Sequence, residues 1–233
     1  MANRKKAVIL TGAGISAESG LKTFRATDGL WEEHRIDDVA SPEGWRNNPQ
    51  LVLDFYNQRR RDVLKANPNK GHKAISELEE KFEVVVITQN IDNLHERAGS
   101  SKVIHLHGEI LKSRSTIDSK LIYKCEKDIL IGDKCGKGSQ LRPFIVWFNE
   151  EVPMIDIANK EVFSADIFII AGTSLQVYPA AGLINYVHPM VPKFLVDPNI
   201  PDVKFLKNIV CIEKKGSEGM PELAEKLLKI IEQ

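Results

Sequence analysis

The chain has 233 residues and 42% of them are hydrophobic, so it can bury a sizeable core and is not expected to be disordered. Lysine plus arginine and aspartate plus glutamate both number 32, which leaves no net charge to attract nucleic acid or an acidic membrane. Three cysteines are too few for a disulfide framework, and no apolar run approaches the roughly 18–20 residues of a membrane span. These properties predict a cytoplasmic protein without nucleic-acid or membrane partners, and they leave its oligomeric state open.

Short apolar runs rich in β-branched residues alternate with amphipathic segments. The runs predict buried parallel strands over Ala7–Thr11, Phe82–Thr88, Lys102–Leu106, Phe144–Phe148, Asp166–Ala171, Lys193–Val196 and Asn208–Ile212. The amphipathic segments predict helices over Pro49–Ala66, Lys70–Glu80 and Pro221–Glu232. This alternation indicates an α/β fold, with a Rossmann-like parallel sheet and helices on both faces. Two regions interrupt it, the loop-like Phe24–Arg46 and the Gly- and Lys-rich Arg114–Arg142, and both predict a small second lobe beside the sheet.

The first predicted strand runs into a glycine-rich turn that begins Gly12-Ala13-Gly14. The pattern Gly-x-Gly-x-x-Ala, with Ala17 as its last residue, is typical of a turn that holds a dinucleotide pyrophosphate at a helix N-terminus. An ordinary strand-to-helix turn is the alternative. A dehydrogenase would place an acidic residue after a second strand about 20 residues on, but Thr23–Trp31 reads as a loop. The turn therefore favours a bound dinucleotide and gives poor support to hydride transfer.

Polar residues follow two further strands. Gln89-Asn90-Ile91-Asp92 comes directly after one, and His105-Leu106-His107-Gly108 after the next. The carboxyl ends of parallel strands share one edge of a sheet, where ligands bind. Buried polar groups need partners, and a histidine there can act as a general base near neutral pH. Gly172-Thr173-Ser174 ends a third strand in the same way, although a packed or exposed histidine is the plain alternative for His107 taken alone.

Together these segments resemble the sirtuins, the NAD-dependent protein-lysine deacylases. The matching stretches occur in family order and span most of the chain, namely Gly12–Gly20, Thr23–Arg25, Thr88–Asp92, His105–Gly108, Arg142–Phe148 and Gly172–Pro179. The resemblance implies one sirtuin domain over residues 1–233. Its Rossmann-like core would cover about residues 1–24, 67–110 and 143–233, and its small lobe about 25–66 and 111–142.

The resemblance also implies residue roles. NAD would be consumed as a co-substrate, and the catalytic residues would be His107, the base, with Asn90 and Asp92. The cofactor-binding residues would be Gly12, Ala13, Gly14, Ser16, Ala17, Glu18, Phe24, Arg25, Trp31, Gln89, Asn90, Ile91, Asp92, Gly172, Thr173, Ser174, Asp197 and Gly216. Strands around Val146, Trp147, Phe148 and Val177 would clamp an acylated-lysine peptide. The implied products are free lysine, nicotinamide and O-acyl-ADP-ribose.

The sequence Tyr56-Asn57-Gln58-Arg59 places a phenol and a guanidinium three residues apart on a predicted helix. Residues at this spacing share a face, and together they would bind a carboxylate. The pair resembles that of class III sirtuins, which remove succinyl, malonyl or glutaryl groups. An exposed helix face is the alternative, and Thr27 stands where class III members usually have alanine. We therefore expect desuccinylation or demalonylation, with deacetylation also possible.

Sirtuins usually bind structural zinc through two Cys-x-x-Cys pairs in the small lobe, but here that region holds only Cys125 and Cys135. Ser115 stands where the first cysteine is expected, and Gly138 or Ser139 where the last one is. Two thiolates fall short of four zinc ligands, so we expect no zinc. Three other functions stay open at this point: mainly deacetylation, mono-ADP-ribosylation, and non-catalytic NAD binding.

Overall fold

The computed structural model of the protein describes residues 4–22, 30–31 and 34–231. Within these ranges the strands are β1 (Lys6–Thr11), β2 (Leu30–Trp31), β3 (His34–Arg35), β4 (Glu83–Thr88), β5 (Val103–His105), β6 (Gly108–Ser115), β7 (Ile122–Lys124), β8 (Leu141–Ile145), β9 (Ile167–Ala171), β10 (Lys193–Val196) and β11 (Ile209–Ile212). The helices are α1 (Gly14–Ala17), α2 (Ile36–Val39), α3 (Pro42–Asn47), α4 (Pro49–Lys65), α5 (Lys70–Glu77), α6 (Leu94–Ala98), α7 (Ile155–Phe163) and α8 (Gly216–Ile231). Two short 3-10 helices cover Leu78–Glu80 and Ala180–Tyr186. Among the described helices, none combines the length and apolar character needed to span a lipid bilayer.

A parallel sheet forms the centre of the molecule, with the strand order β11-β10-β9-β1-β4-β5. Thr11 at the end of β1 is level with Thr88 of β4 on one side and Ala171 of β9 on the other. Since these strands are parallel, their carboxyl ends lie side by side at one edge. The predicted Rossmann-like parallel sheet is thereby confirmed.

Both faces of this sheet are covered, which explains why its strands are apolar throughout. Ala7 and Ile9 of β1 point to the face covered by α5 and α8. Val8 and Leu10 point to the opposite face, which is covered by α7 and the 3-10 helix Ala180–Tyr186. The alternation along β1 therefore divides the core into two layers.

The expectation of a parallel strand over Phe144–Phe148 is wrong. The strand is β8, and it pairs antiparallel with β6 in a separate three-stranded sheet, β7-β6-β8. Ile145 and Trp147 are buried in a third apolar cluster, with residues of α4. A run that is buried for this reason looks the same in sequence as a strand buried inside a parallel sheet.

The region Phe24–Arg46 is not loop-like throughout, because its described part contains α2 and most of α3. Ser41 caps α3 by accepting a hydrogen bond of 2.9 Å from the Gly44 N–H, and Pro42 occupies the first turn. We propose that α2, α3, α4 and the antiparallel sheet, which share the third apolar cluster, make up the small lobe.

The last helix begins at Gly216, five residues before the predicted start at Pro221. Its first turn is held by Glu18, whose carboxylate accepts hydrogen bonds from the Ser217 N–H at 3.1 Å and the Ser217 hydroxyl at 2.7 Å. A carboxylate at a helix N-terminus supplies an acceptor for its otherwise unpaired N–H groups. This contact joins residues 199 positions apart, so no local sequence pattern signals it.

Candidate functional site

The carboxyl edge of the sheet opens into a cavity of about 780 Å³. It is lined by all the predicted catalytic and substrate residues and by the predicted cofactor residues whose side chains are described. They are Gly12, Ala13, Gly14, Ser16, Ala17, Glu18, Tyr56, Arg59, Gln89, Asn90, Ile91, Asp92, His107, Val146, Trp147, Phe148, Gly172, Thr173, Ser174, Val177, Asp197 and Gly216. Phe24, Arg25 and Thr27 lie outside the described residues, and Trp31 is described only as part of the two-residue strand β2.

The glycine turn packs directly against the end of β9. The Gly14 N–H donates a hydrogen bond of 2.8 Å to the Gly172 carbonyl, and a Cβ on Gly14 would lie 2.8 Å from the Gly172 Cα atom. Gly172 has a φ of +65°, and a Cβ there would come within 2.2 Å of the Ile15 nitrogen. The two turns therefore interlock through glycine backbone. Gly14 is therefore needed for this packing, in addition to the space for a phosphate that the sequence pattern suggests.

A buried hydrogen-bond network joins this turn to the residues after β4. Asn90 Nδ2 donates to the Gly12 carbonyl and to Ser16 Oγ, each at 3.1 Å. Ser16 Oγ in turn donates to Asp92 Oδ2 at 3.0 Å, while Asp92 Oδ1 accepts from the Leu94 N–H at 3.0 Å. Burial raises the pKa of Asp92, and these two hydrogen bonds oppose that shift. The network fixes the amide of Asn90 and the carboxyl of Asp92 at the wall of the cavity.

His72 is a member of this network that the sequence reasoning missed. It is fully buried on α5, its Nδ1 accepts from the Asn69 N–H at 3.3 Å, and its Nε2 lies 3.3 Å from Ser16 Oγ. Burial lowers the pKa of His72 to about 4, so its ring is neutral at pH 7. The signal in the sequence was a histidine close to the apolar side of a helix, near Ile75 and Leu78.

His107 and Gln89 form a second polar pair in the wall. His107 Nδ1 lies 3.0 Å from the Gln89 carbonyl oxygen, an acceptor, so this nitrogen carries the ring hydrogen and Nε2 keeps a lone pair. Burial lowers the pKa of His107, and the bond to Gln89 offsets only part of that effect. The Gln89 side chain donates to Thr173 Oγ1 at 3.0 Å, which ties it to the strand end of β9. A neutral imidazole with a free Nε2 is suited to accept a proton.

Another part of the cavity wall comes from α4. Tyr56 and Arg59 lie one helical turn apart, with 0% and 6% of their surfaces exposed. The Phe55 ring contacts both, at 5.1 Å from the Tyr56 ring and 5.8 Å from the guanidinium carbon of Arg59. Arg59 also donates to the Lys22 carbonyl at 3.1 Å. Burial raises the pKa of Tyr56, so its phenol is a neutral hydrogen-bond donor.

Val146, Trp147, Phe148 and Val177 line the cavity but lie outside any strand. Trp147 is held by Arg142, whose guanidinium carbon lies 3.2 Å from the indole ring centroid. Glu150 also holds it by accepting a hydrogen bond of 2.9 Å from the Trp147 backbone N–H. Arg142 and Glu150 are themselves paired through two hydrogen bonds of 2.8 and 3.1 Å. Glu150 lines the cavity and, after His72, is the second residue that the sequence reasoning missed.

The residues present do not fit a four-cysteine zinc site in the small lobe. Cys135 Sγ donates to Ser115 Oγ at 3.2 Å, and Asp118 forms an ion pair of 2.7 Å with Lys137. Cys125 instead donates to the Lys127 carbonyl at 3.3 Å. Within the described residues, no group of three or more His, Cys, Asp or Glu side chains is placed to hold a metal ion. A hydrogen-bonded cluster of Ser115, Cys135, Asp118 and Lys137 thus lies where the family pattern would place the metal.

Comparison with known proteins identifies the family. The sequence model of the Sir2 family matches residues 12–179. The chain is 53% identical over 226 residues to an NAD-dependent protein deacylase of Helicobacter pylori, covering 97% of this chain and 99% of that protein. It is 50% identical over 230 residues to an NAD-dependent protein deacylase of Bacteroides thetaiotaomicron, covering 96% and 98%.

Solved structures agree with this. A Sir2 homologue in complex with ADP-ribose superposes with a TM-score of 0.90 at 40% identity, over 98% of this chain and 94% of that one. A Sir2 homologue in complex with NAD gives 0.88, also at 40% identity, over 98% and 91%. The chain belongs to the Sir2 family, and it is an enzyme of that family.

Proposed function

We propose that this Sir2 enzyme is an NAD-dependent protein-lysine deacylase that prefers acyl groups ending in a carboxylate, such as succinyl and malonyl. Protein deacylation with NAD as co-substrate agrees with the names of its relatives. It also agrees with the NAD and ADP-ribose complexes of its structural neighbours. A cytoplasmic location and acylated-lysine proteins as partners belong to the same proposal.

The residues that line the cavity are suited to different roles in this reaction. Asn90 and Asp92, held by Ser16, are suited to hold the nicotinamide ribose, and the NAD consumed there supplies the leaving group and the acceptor sugar. His107, neutral and with a free Nε2, is suited to take a proton from a ribose hydroxyl. Displacement of water from the cavity by bound NAD and peptide would strengthen these polar contacts.

The observation that carries the acyl preference is the placement of Tyr56 and Arg59. Both are buried on one face of α4 and line the same cavity as Asn90 and His107. A guanidinium offers two parallel N–H donors to a carboxylate, and a phenol adds a third donor. A neutral acetyl group cannot use these donors fully, so the pair favours an acidic acyl chain. Leu21 and Val63, which also line this wall, would contact the methylene groups of the chain.

The test compares kcat/KM for succinyl-lysine and acetyl-lysine forms of one peptide. We expect the wild type to favour the succinyl peptide. Arg59→Met and Tyr56→Phe should each lower desuccinylation about 10- to 100-fold, as expected for a lost charge-assisted hydrogen bond, and change deacetylation little.

Arg61→Met is the matched control, because Arg61 lies on the same helix but is 44% exposed and pairs with Asp128 on the surface. It should leave both activities unchanged. Equal loss of both activities in Arg59→Met, or no loss of either, would contradict the assigned preference. Nicotinamide release together with transfer of ADP-ribose to protein, and without O-acyl-ADP-ribose, would instead indicate ADP-ribosylation. The absence of any nicotinamide release would indicate a non-catalytic NAD-binding protein.

A further inference from the structure

His105 ends β5 two residues before His107, and the proposed function gives it no part. Its side chain is only 7% exposed and is held by two contacts. Nδ1 lies 3.0 Å from the backbone carbonyl oxygen of Asn90, and Nε2 lies 2.7 Å from Glu96 Oε1 on α6. The ring therefore lies between a cavity residue and a carboxylate.

Both partners of this ring are acceptors, which determines its protonation state. A carbonyl oxygen and a carboxylate have no hydrogen to donate, so both contacts are hydrogen bonds only when both ring nitrogens carry hydrogen. A neutral ring has one hydrogen, and the charged carboxylate of Glu96 is the stronger acceptor. Loss of the proton therefore breaks the bond to Asn90 and leaves two lone pairs facing each other.

The backbone carbonyl of Asn90 faces His105 and is not held by the glycine turn or by β4. Its backbone N–H donates to Thr88 Oγ1 at 3.0 Å, and its side chain donates to Gly12 and Ser16. Rotation of the peptide plane between Asn90 and Ile91 is opposed by His105. The orientation of this plane also affects Asp92, two residues on.

We propose that His105, as an imidazolium bridging Asn90 and Glu96, is a positioning residue that holds the Asn90–Asp92 segment in its active arrangement. This inference rests on the proposed function, in which Asn90 and Asp92 contact the co-substrate. Deacylation should then decline at alkaline pH as His105 loses its proton.

The surroundings of His105 support a stable positive charge. Burial by itself lowers its pKa, but the hydrogen bond and charge of Glu96, the Asn90 carbonyl and the charge of Glu109 on β6 outweigh that effect, so the pKa is raised. Asp92 and His95 also face it; the first favours the imidazolium and the second is neutral, because burial keeps its pKa well below the ordinary value. Lys112 pairs with Glu109 at 2.6 Å and reduces the influence of that carboxylate.

The test uses His105→Asn and His105→Leu, with kcat and KM for NAD measured from acid to alkaline pH. The amide nitrogen of asparagine can take the place of Nδ1 and donate to Asn90 at every pH. We expect the wild type to lose kcat on an alkaline limb, and His105→Asn to keep kcat at neutral pH without that limb. His105→Leu should lower kcat about 10- to 100-fold across the range, the effect of losing one charge-assisted hydrogen bond. His188→Asn, at an exposed histidine outside the cavity, should keep the wild-type profile.

An alkaline limb in His105→Asn identical to that of the wild type, or full activity in His105→Leu, would overturn the inference. Nitrogen NMR of the folded wild type gives an independent reading, since both ring nitrogens of His105 should be protonated at pH 7; one unprotonated nitrogen would also overturn it. If the wild type instead releases no nicotinamide with any acyl-lysine peptide, the proposed function fails, and the NMR result still decides the state of His105.

Discussion

The hydroxyl of Ser16 lies 3.0 Å from Asp92 Oδ2 and donates a hydrogen bond to it, which links the glycine turn to the segment after β4. Removing this hydroxyl in Ser16→Ala takes a donor from Asp92 and an acceptor from Asn90. We expect kcat to fall about 10- to 100-fold and the free energy of unfolding to fall by about 1–3 kcal/mol, because buried polar groups lose partners. Nicotinamide release and urea denaturation measure the two effects. Ser76→Ala, whose hydroxyl bonds only to backbone carbonyls of α5 and α6, is the control, and equal activity of both variants would contradict the role of Ser16.

The acid side of the pH profile should report His107. A base must be unprotonated, and burial lowers the pKa of His107 below the ordinary value of 6.5. Activity should therefore hold as the pH falls through 6.5 and decline only below it. Steady-state kcat/KM on an acetyl-lysine peptide measures this limb, and His107→Tyr should abolish activity at every pH. A limb that begins above pH 6.5 would show that the base lies elsewhere or is not buried.

His72 should make the fold sensitive to acid. Its pKa is about 4 in the folded protein and about 6.5 unfolded, so between these values the unfolded chain binds more protons. The stability that the neutral His72 ring contributes is fully present above pH 6.5. It is lost as the pH falls towards 4, which lowers the free energy of unfolding by about 3 kcal/mol in total. Urea denaturation at pH 7 and pH 4.5 should show a smaller loss of stability in His72→Asn than in the wild type. An equal loss in both would rule His72 out as the source.

The small lobe should be insensitive to metal removal. Cys135 and Ser115 are joined by a hydrogen bond, and Asp118 and Lys137 by an ion pair. These residues therefore form no metal site from which a chelator could remove an ion. We expect the same Tm with and without EDTA, and a loss of only about 1 kcal/mol in Cys135→Ser, since a hydroxyl replaces a weak thiol donor. Metal analysis finding one zinc per chain, lost together with the fold on chelation, would contradict this.

Much of the fold and of the cavity wall followed from sequence alone. The strands β1, β4 and β9 are continuous apolar runs because both faces of the sheet are covered, and burial of this kind is visible in composition. Gln89, Asn90 and His107 follow strand ends, and parallel strands bring their ends to one edge. Local pattern and topology together are therefore enough to group the glycine turn with the polar clusters in one site.

Other features depend on contacts between distant segments. The apolar run at Phe144–Phe148 belongs to an antiparallel sheet, since its burial comes from α4, and local pattern does not say which element covers a strand. The start of α8 depends on a hydrogen bond to Glu18. The Ser16 hydroxyl has a hydrogen-bond partner in His72, 56 residues away. Tyr56 and Arg59 were expected to share a helix face, but only packing decided that this face lines the cavity and is not exposed to solvent. Burial lowers the pKa of His72 and His107, whereas Glu96 and the Asn90 carbonyl raise that of His105 against the effect of burial. Both effects are properties of the assembled fold.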